Sequence, residues 1–281
     1  MSDAQSSNAQ QIEYWNGPTG AKWAALQERI DHFLGTITDS AFVFAAPASG
    51  ERALDVGCGC GTTTLRLALQ LAPGGGATGI DISAPMLSVA RARAAAQNAD
   101  VAFLEADASS FAFQPVFDLV FSRFGVMFFA DPAAAFANMR NALSPDGRLA
   151  FVCWRSAKDN AWATVPMAAA KDHLPPQEPA DPLAPGPFAL ADEARLRTIL
   201  KDAGYRDIEI EKFDGHVNMG ETIEDAVTQS LAVGPLSRAA ADMDEAARRN
   251  IGKAVAQALA SFQSPIGITL PAACWLVRAR G

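Results

Sequence analysis

The stretch from Ala53 to Thr62 reads Ala-Leu-Asp-Val-Gly-Cys-Gly-Cys-Gly-Thr, a short apolar run, three alternating glycines and a hydroxyl residue. Glycine, lacking a Cβ, lets the backbone turn sharply and approach a ligand closely. In an open α/β sheet, a strand feeding such a loop and a helix N-terminus is where nucleotides bind. The spacing is G-x-G-x-G through Gly57, Gly59 and Gly61, so the third glycine comes one residue earlier than in the dinucleotide pattern G-x-G-x-x-G. Asp55, just before the loop, would repel a pyrophosphate and attract a ligand ammonium. The chemistry favoured is recognition of a nucleotide that carries an amino acid, although three alternating glycines also make an ordinary tight turn.

Asp81 follows about 20 residues after the loop, where an acid in this kind of fold accepts hydrogen bonds from ribose hydroxyls. It can also act as a plain cap, a role that Ser83 is placed to fill. Asp107 can accept from an adenine amino group, with Ala108 leaving room for the ring edge, or can cap a short turn. Met86 can lay its sulfur on an adenine face or simply pack in the core. Arg123 points toward the expected substrate side and can bind an anionic group or form a structural salt bridge. Of His32, His173 and His216, the last enters the segment placed to cover the site and is the candidate acid or base. Cys58 and Cys60 form a C-x-C pair without the second ligand pair that zinc-like spacing requires, so no metal is expected.

These residues need a scaffold. Arg52–Val56, Ala77–Asp81, Val101–Glu105, Phe117–Ser122 and Arg148–Trp154 read as strands. Helices over Thr62–Leu71, 84–98 and 131–142 alternate with them, which predicts a parallel sheet covered on both faces. Before them, Ile12–Ala45 reads as interrupted helix bearing Tyr14, Trp15 and Trp23. Residues 175–187 hold six prolines and read as an irregular loop. Asp192–Ala203 is a capped helix, followed by strand Ile208–Phe213, two helices in 221–262 and a final strand Ile268–Arg278. Met243, Ile251, Val255 and Phe262 give the longer of those two helices an apolar face. The expected organisation is an N-terminal helical cap (1–48), a core (49–214 and 265–281), and a helical insert (215–264) closing over the mouth made by Phe124, Phe128 and Phe129.

With 31 acidic against 23 basic residues and a net charge of −8, neither half of the chain is basic, which argues against a nucleic-acid partner. No apolar run approaches the length of a membrane span, and the N-terminal residues have neither the basic start nor the apolar stretch of a leader, so a soluble, cytoplasmic protein is expected. The four cysteines are too few and too scattered for a disulfide framework.

The segments ALDVGCGCGTTTLRLA, GIDIS followed by Met86, EADA, FDLVFSRFGVMFF and LSPDGRLAFVCW together resemble the class I S-adenosylmethionine-dependent methyltransferases, closely over about residues 50–155. YRDIEIEKF and PAACWLVRARG look like the sixth and seventh strands of that fold. The resemblance implies a Rossmann-like, seven-stranded, mainly parallel sheet with an antiparallel last strand, helices on both faces and a helical lid. It implies that Asp55, Gly57, Gly59 and Gly61 line the methionine part of S-adenosylmethionine, that Asp81 and Ile82 hold its ribose, and that Met86, Asp107 and Ala108 surround its adenine. Cys58, Ser122, Trp15 and Trp23 complete the expected cofactor set. The implied reaction is an in-line methyl transfer to a small acceptor. Ser122-Arg-Phe-Gly125 departs from the Asn/Asp-Pro-Pro-aromatic tetrapeptide of enzymes that methylate base or amide nitrogens, which argues against such substrates. The opening YWNGPTGAKW and the insert resemble, loosely, the bacterial small-molecule and quinone-type (type 11-like) members, acting as a monomer or homodimer. A nicotinamide-dependent dehydrogenase and a non-catalytic S-adenosylmethionine-binding protein share much of the same pattern.

Overall fold

The computed structural model describes residues 3–176 and 181–281. Three helices, α1 (Asp3–Asn16), α2 (Pro18–Ala25) and α3 (Gln27–Ala45), precede the first strand. The alternating part runs β1 (Arg52–Val56), α4 (Thr62–Leu71), β2 (Gly76–Asp81), α5 (Ala84–Ala96), β3 (Val101–Glu105), β4 (Phe117–Arg123), α6 (Pro132–Arg140) and β5 (Leu143–Trp154). Then follow α7 (Ala161–Ala170), α8 (Glu193–Asp202), β6 (Arg206–Gly220), α9 (Ile223–Ala232), α10 (Pro235–Ala239), α11 (Glu245–Leu259), β7 (Gln263–Ser264) and β8 (Gly267–Arg280). Within the proline-rich stretch, 177–180 lie outside the described residues, and 181–190 hold neither helix nor strand.

The strands form one sheet in the order β3-β2-β1-β4-β5-β8-β6, with the two-residue β7 paired to β8. Neighbours from β3 to β5 are parallel, and β8 runs antiparallel to both β5 and β6. The sheet is thus the expected one, apart from the extra short β7. Leu54, Leu119, Val120, Phe121, Leu149 and Val152 are fully buried, as continuous apolar runs must be when helices cover both faces. The chain leaves β1 for β2 on one side and returns to β4 on the other, so a crevice opens at the carboxyl end of β1.

Helix starts follow their local chemistry. Asp131, Asp192 and Asp244 cap α6, α8 and α11 by accepting from the N–H of Ala134, Arg195 and Ala247, and Thr222 with Asp225 forms a capping box on α9. Ser83 precedes α5 but does not cap it. Its hydroxyl donates to the Trp15 carbonyl at 2.7 Å, and the Ala84 N–H instead reaches Asn16 Oδ1 at 2.9 Å.

The segment expected to be helical from residue 215 begins differently. β6 continues to Gly220 because it pairs with β8 along the whole run from Arg206 to Gly220. His216 therefore sits mid-strand opposite Pro271, exposed to solvent. The apolar stripe of α11 also finds another partner than the mouth. Ile251, Val255 and Leu259 are fully buried, and α11 packs on α7 and α9. Burial of such side chains is worth about 1.5–3 kcal/mol each, so the insert is stabilised as a structural layer beside the sheet. No helix among the described residues is long and apolar enough to cross a membrane.

Candidate functional site

At the carboxyl ends of β1, β2 and β4 a cavity holds about 1050 Å³ of empty space, its open mouth included. A second, strongly charged depression, lined by Glu51, Asp118, Arg148, Glu209 and Arg278 among others, lies by the starts of β1 and β4. Ligands of open α/β sheets bind at carboxyl ends, which selects the first.

The glycine loop is built by backbone geometry. Gly57, Gly59 and Gly61 have φ of +69°, +53° and +80°, the left-handed region that glycine tolerates best. The N–H of Gly57 donates to the Ile80 carbonyl at 2.9 Å, tying the loop to β2. A Cβ on Gly57 would stand 2.6 Å from the Gly125 Cα, so the loop and the turn after β4 touch backbone to backbone. The Asp81 carboxylate accepts the N–H of Gly59 at 2.8 Å and that of Ser83 at 2.9 Å. Burial raises the pKa of this acid against the pull of those backbone donors.

Of the expected cofactor residues, Gly57, Cys58, Gly59, Asp81, Ile82, Met86, Asp107, Ala108, Trp15 and Trp23 all line the cavity. Asp55, Gly61 and Ser122 do not. Asp55 is fully buried beneath the loop, where Oδ2 accepts the hydroxyls of Thr63 and Thr64, each at 2.6 Å, and Oδ1 has no partner. Burial pushes its pKa up to about 6, opposed chiefly by those two hydroxyls. It thus braces the start of α4 from beneath the loop. Gly61 is small for packing, since a Cβ there would meet Ala90 and Phe103 at 3.0 Å. Ser122 ties two loops, donating to the Val56 carbonyl at 2.7 Å and accepting from the Gly125 N–H at 3.2 Å. Burial drives the Cys58 thiol well above its ordinary pKa and that of Cys60 up to about 11, so neither is a poised thiolate. His32, His173 and His216 are exposed and line no part of the cavity.

Arg123 does line it, together with Phe124, Phe128 and Phe129. Phe124 holds a φ of +64° and stacks on Trp154 with ring centres 4.3 Å apart. A non-glycine residue in that region is strained, and such strain gathers at functional sites. Trp15 makes edge contacts with Trp23 and Phe128 at 5.5 and 5.2 Å.

Sequence reasoning missed the polar part contributed by the N-terminal helices: Asn8, Gln11, Gln27 and Asp31. Asn8 donates to the Asp107 carboxylate, which also accepts the Ser109 N–H at 2.8 Å. Gln11 lines the cavity with Oε1 buried and unpartnered. Asp31 gathers the side chains of Gln27, Thr62 (2.6 Å), Arg93 (3.5 Å) and Arg123 (3.4 Å). Cover over the cavity comes from α1 to α3, and none of residues 215–264, the segment expected to close over the mouth, lines it.

The strand order, the antiparallel last strand and the glycine loop at the carboxyl end of β1 define a Rossmann-like methyltransferase fold. Residues 53–147 match the family described as "Methyltransferase domain". It is 43% identical over 79 residues to the demethylmenaquinone methyltransferase of Thermus thermophilus, covering 28% of this chain and 36% of that protein. It is 34% identical over 108 residues to an aklanonic acid methyltransferase of a Streptomyces species, covering 37% of this chain and 49% of that one. The match thus spans less than half the length of either curated relative. The fold superposes on the solved structure of a Bacillus halodurans protein described as a methyltransferase, with a TM-score of 0.56 and 18% identity, over 88% of this chain and 99% of that one.

Proposed function

We propose that this chain transfers the methyl group of S-adenosylmethionine to a small, largely apolar acceptor, acting in the cytoplasm as a monomer or homodimer. The observation that carries the reading is the convergence in one cavity of the Gly57–Gly59 backbone, Asp81 and Met86. The residues fit the cofactor. Each Asp81 oxygen accepts one backbone N–H and keeps acceptor capacity, which suits two neighbouring ribose hydroxyls. Met86 and Ala108 offer an apolar slot for adenine, with the Asp107 carboxylate at its edge. The unpartnered Gln11 Oε1 is an acceptor that a ligand donor would satisfy. The cofactor supplies an activated methyl on a sulfonium, and the protein supplies position. Trp15, Trp23, Phe124 and Phe128 form the wall that keeps water from the transfer, and the N-terminal cap closes over it. The described cysteines are all free, in keeping with a reducing compartment.

Calorimetric titration with S-adenosylmethionine, S-adenosylhomocysteine and NAD tests the cofactor. The first two should bind and NAD should not. Charged hydrogen bonds of this kind are worth about 1.5–3 kcal/mol, so Asp81→Ala should weaken S-adenosylhomocysteine at least tenfold, and a loss below twofold would overturn the assignment. Transfer of labelled methyl to a panel of aromatic acceptors tests the activity. Binding without transfer to any of them would favour a non-catalytic protein.

A further inference from the structure

Among the described residues that line the cavity, Arg123 is the one cation, set beside the apolar Phe124, Phe128 and Phe129. Its side chain is only 12% exposed, yet it lines the cavity. It donates from Nη1 to Thr38 Oγ1 at 3.0 Å and from Nη2 to Asp31 Oδ1 at 3.4 Å, and Nε has no protein acceptor among the described residues. Five donors in a rigid fork are thus met by one hydroxyl and one long carboxylate contact. That carboxylate is shared, because Asp31 also meets Arg93 at 3.5 Å and Thr62 at 2.6 Å. Asp55, whose charge Arg123 also favours, is sealed beneath the loop and does not line the cavity. The guanidinium is part-buried at the cavity wall with donors to spare, and its fork matches a planar, two-oxygen anion.

We propose that Arg123 is the acceptor-binding residue of a carboxylate-type anion subsite, so that the methyl acceptor is a planar aromatic molecule carrying an ionised acidic oxygen group. Asp31, at 3.4 Å, competes with such an anion for the fork. This assignment rests on the methyltransferase reading and names the substrate class within it. Arg123 closes β4, and its neighbours in the cavity are Phe124, Phe128 and Ile30, a surface for an aromatic body beside the charge. The same fork would fit the cofactor's own carboxylate, and the two sources separate experimentally.

The probes are 1-hydroxy-2-naphthoate and its uncharged amide, titrated into the full chain with and without saturating S-adenosylhomocysteine. The acid should bind at least tenfold more tightly than the amide. Arg123→Gln should reduce that preference below threefold while changing S-adenosylhomocysteine affinity less than twofold. Asp31→Asn removes the carboxylate that competes for the fork, and should tighten the acid at least threefold with the amide unchanged. Equal affinity for acid and amide, or no binding of the acid, overturns the subsite, as does an Asp31→Asn variant that binds the acid no better. If Arg123→Gln weakens S-adenosylhomocysteine as much as the acid, the arginine serves the cofactor and the proposal fails. Failure of S-adenosylhomocysteine to bind the native chain sinks the methyltransferase reading instead, and the unloaded titrations still report on the anion subsite.

Discussion

Asp55 shows how a single buried carboxylate ties stability to pH. Its pKa in the folded chain is pushed up to about 6, above the value near 4 of an unfolded aspartate. A raised folded pKa means that the native state holds the proton over the window in which the unfolded chain has lost it. The stabilisation is therefore complete below about pH 4 and is lost as pH rises through 6, an effect of roughly 3 kcal/mol at about 1.4 kcal/mol per pH unit. Asp55→Asn keeps an oxygen for the Thr63 and Thr64 hydroxyls and removes the titration. Denaturant unfolding followed from pH 4 to 7 should fall less steeply in Asp55→Asn than in the native chain; parallel curves would mean that Asp55 does not titrate in that window. The sequence made the glycine loop and Asp81 legible, since turn geometry and the ribose-binding position leave a mark in spacing. It could not show that Asp55 is engaged by the Thr63 and Thr64 hydroxyls beneath the loop. Which face of β1 looks into the crevice depends on helix α4 folding its threonines back over the strand, a contact that no local pattern announces.

Besides the apolar face that α3 buries in the core, polar clasps join the N-terminal helices to it. Asn16 spans the gap twice, with Oδ1 accepting the Ala84 N–H at 2.9 Å and Nδ2 donating to the Ile82 carbonyl at 2.8 Å. It thereby caps α5 from outside that helix, beside the Trp15 carbonyl held by Ser83. Losing such a cap costs on the order of 1 kcal/mol, so Asn16→Ala should speed amide exchange across α1 and α2 and leave β1 to β5 unchanged. Uniform exchange rates in variant and native chains would show that the clasp is incidental. Helix existence in this region was legible from its apolar spacing. The partners of Asn8, Asn16 and Asp31 were not, because they lie 99, 68 and 92 residues away at Asp107, Ala84 and Arg123.

For the molecule as a whole, the N-terminal helices line the cavity and the insert packs beside them. Lys22 Nζ reaches Ser237 Oγ at 2.9 Å and Arg29 pairs with Asp225 at 3.7 Å, so the insert supports the outer side of the cap. On adding S-adenosylhomocysteine, hydrogen exchange should slow across residues 8–31 and change little across 221–262. Protection confined to the insert would make it the lid. The sheet order was legible because strand and helix alternate. The placement of the insert was not, since an apolar stripe shows that a helix must bury a face and is silent on which neighbour receives it. Here those neighbours are α7 and α9.

The distribution of tryptophans gives the molecule an optical property. Trp15 and Trp23 form part of the cavity wall, and Trp154, stacked on Phe124, passes contact on to Trp162 at 4.7 Å. Trp275, whose indole N–H is held by the Ala191 carbonyl at 2.8 Å, lines no part of the cavity. Four of the five indoles thus lie in or behind the binding wall, and the fifth contributes a constant background. Native emission therefore reports directly on occupancy, and an aromatic ligand that stacks there will quench it without any attached dye.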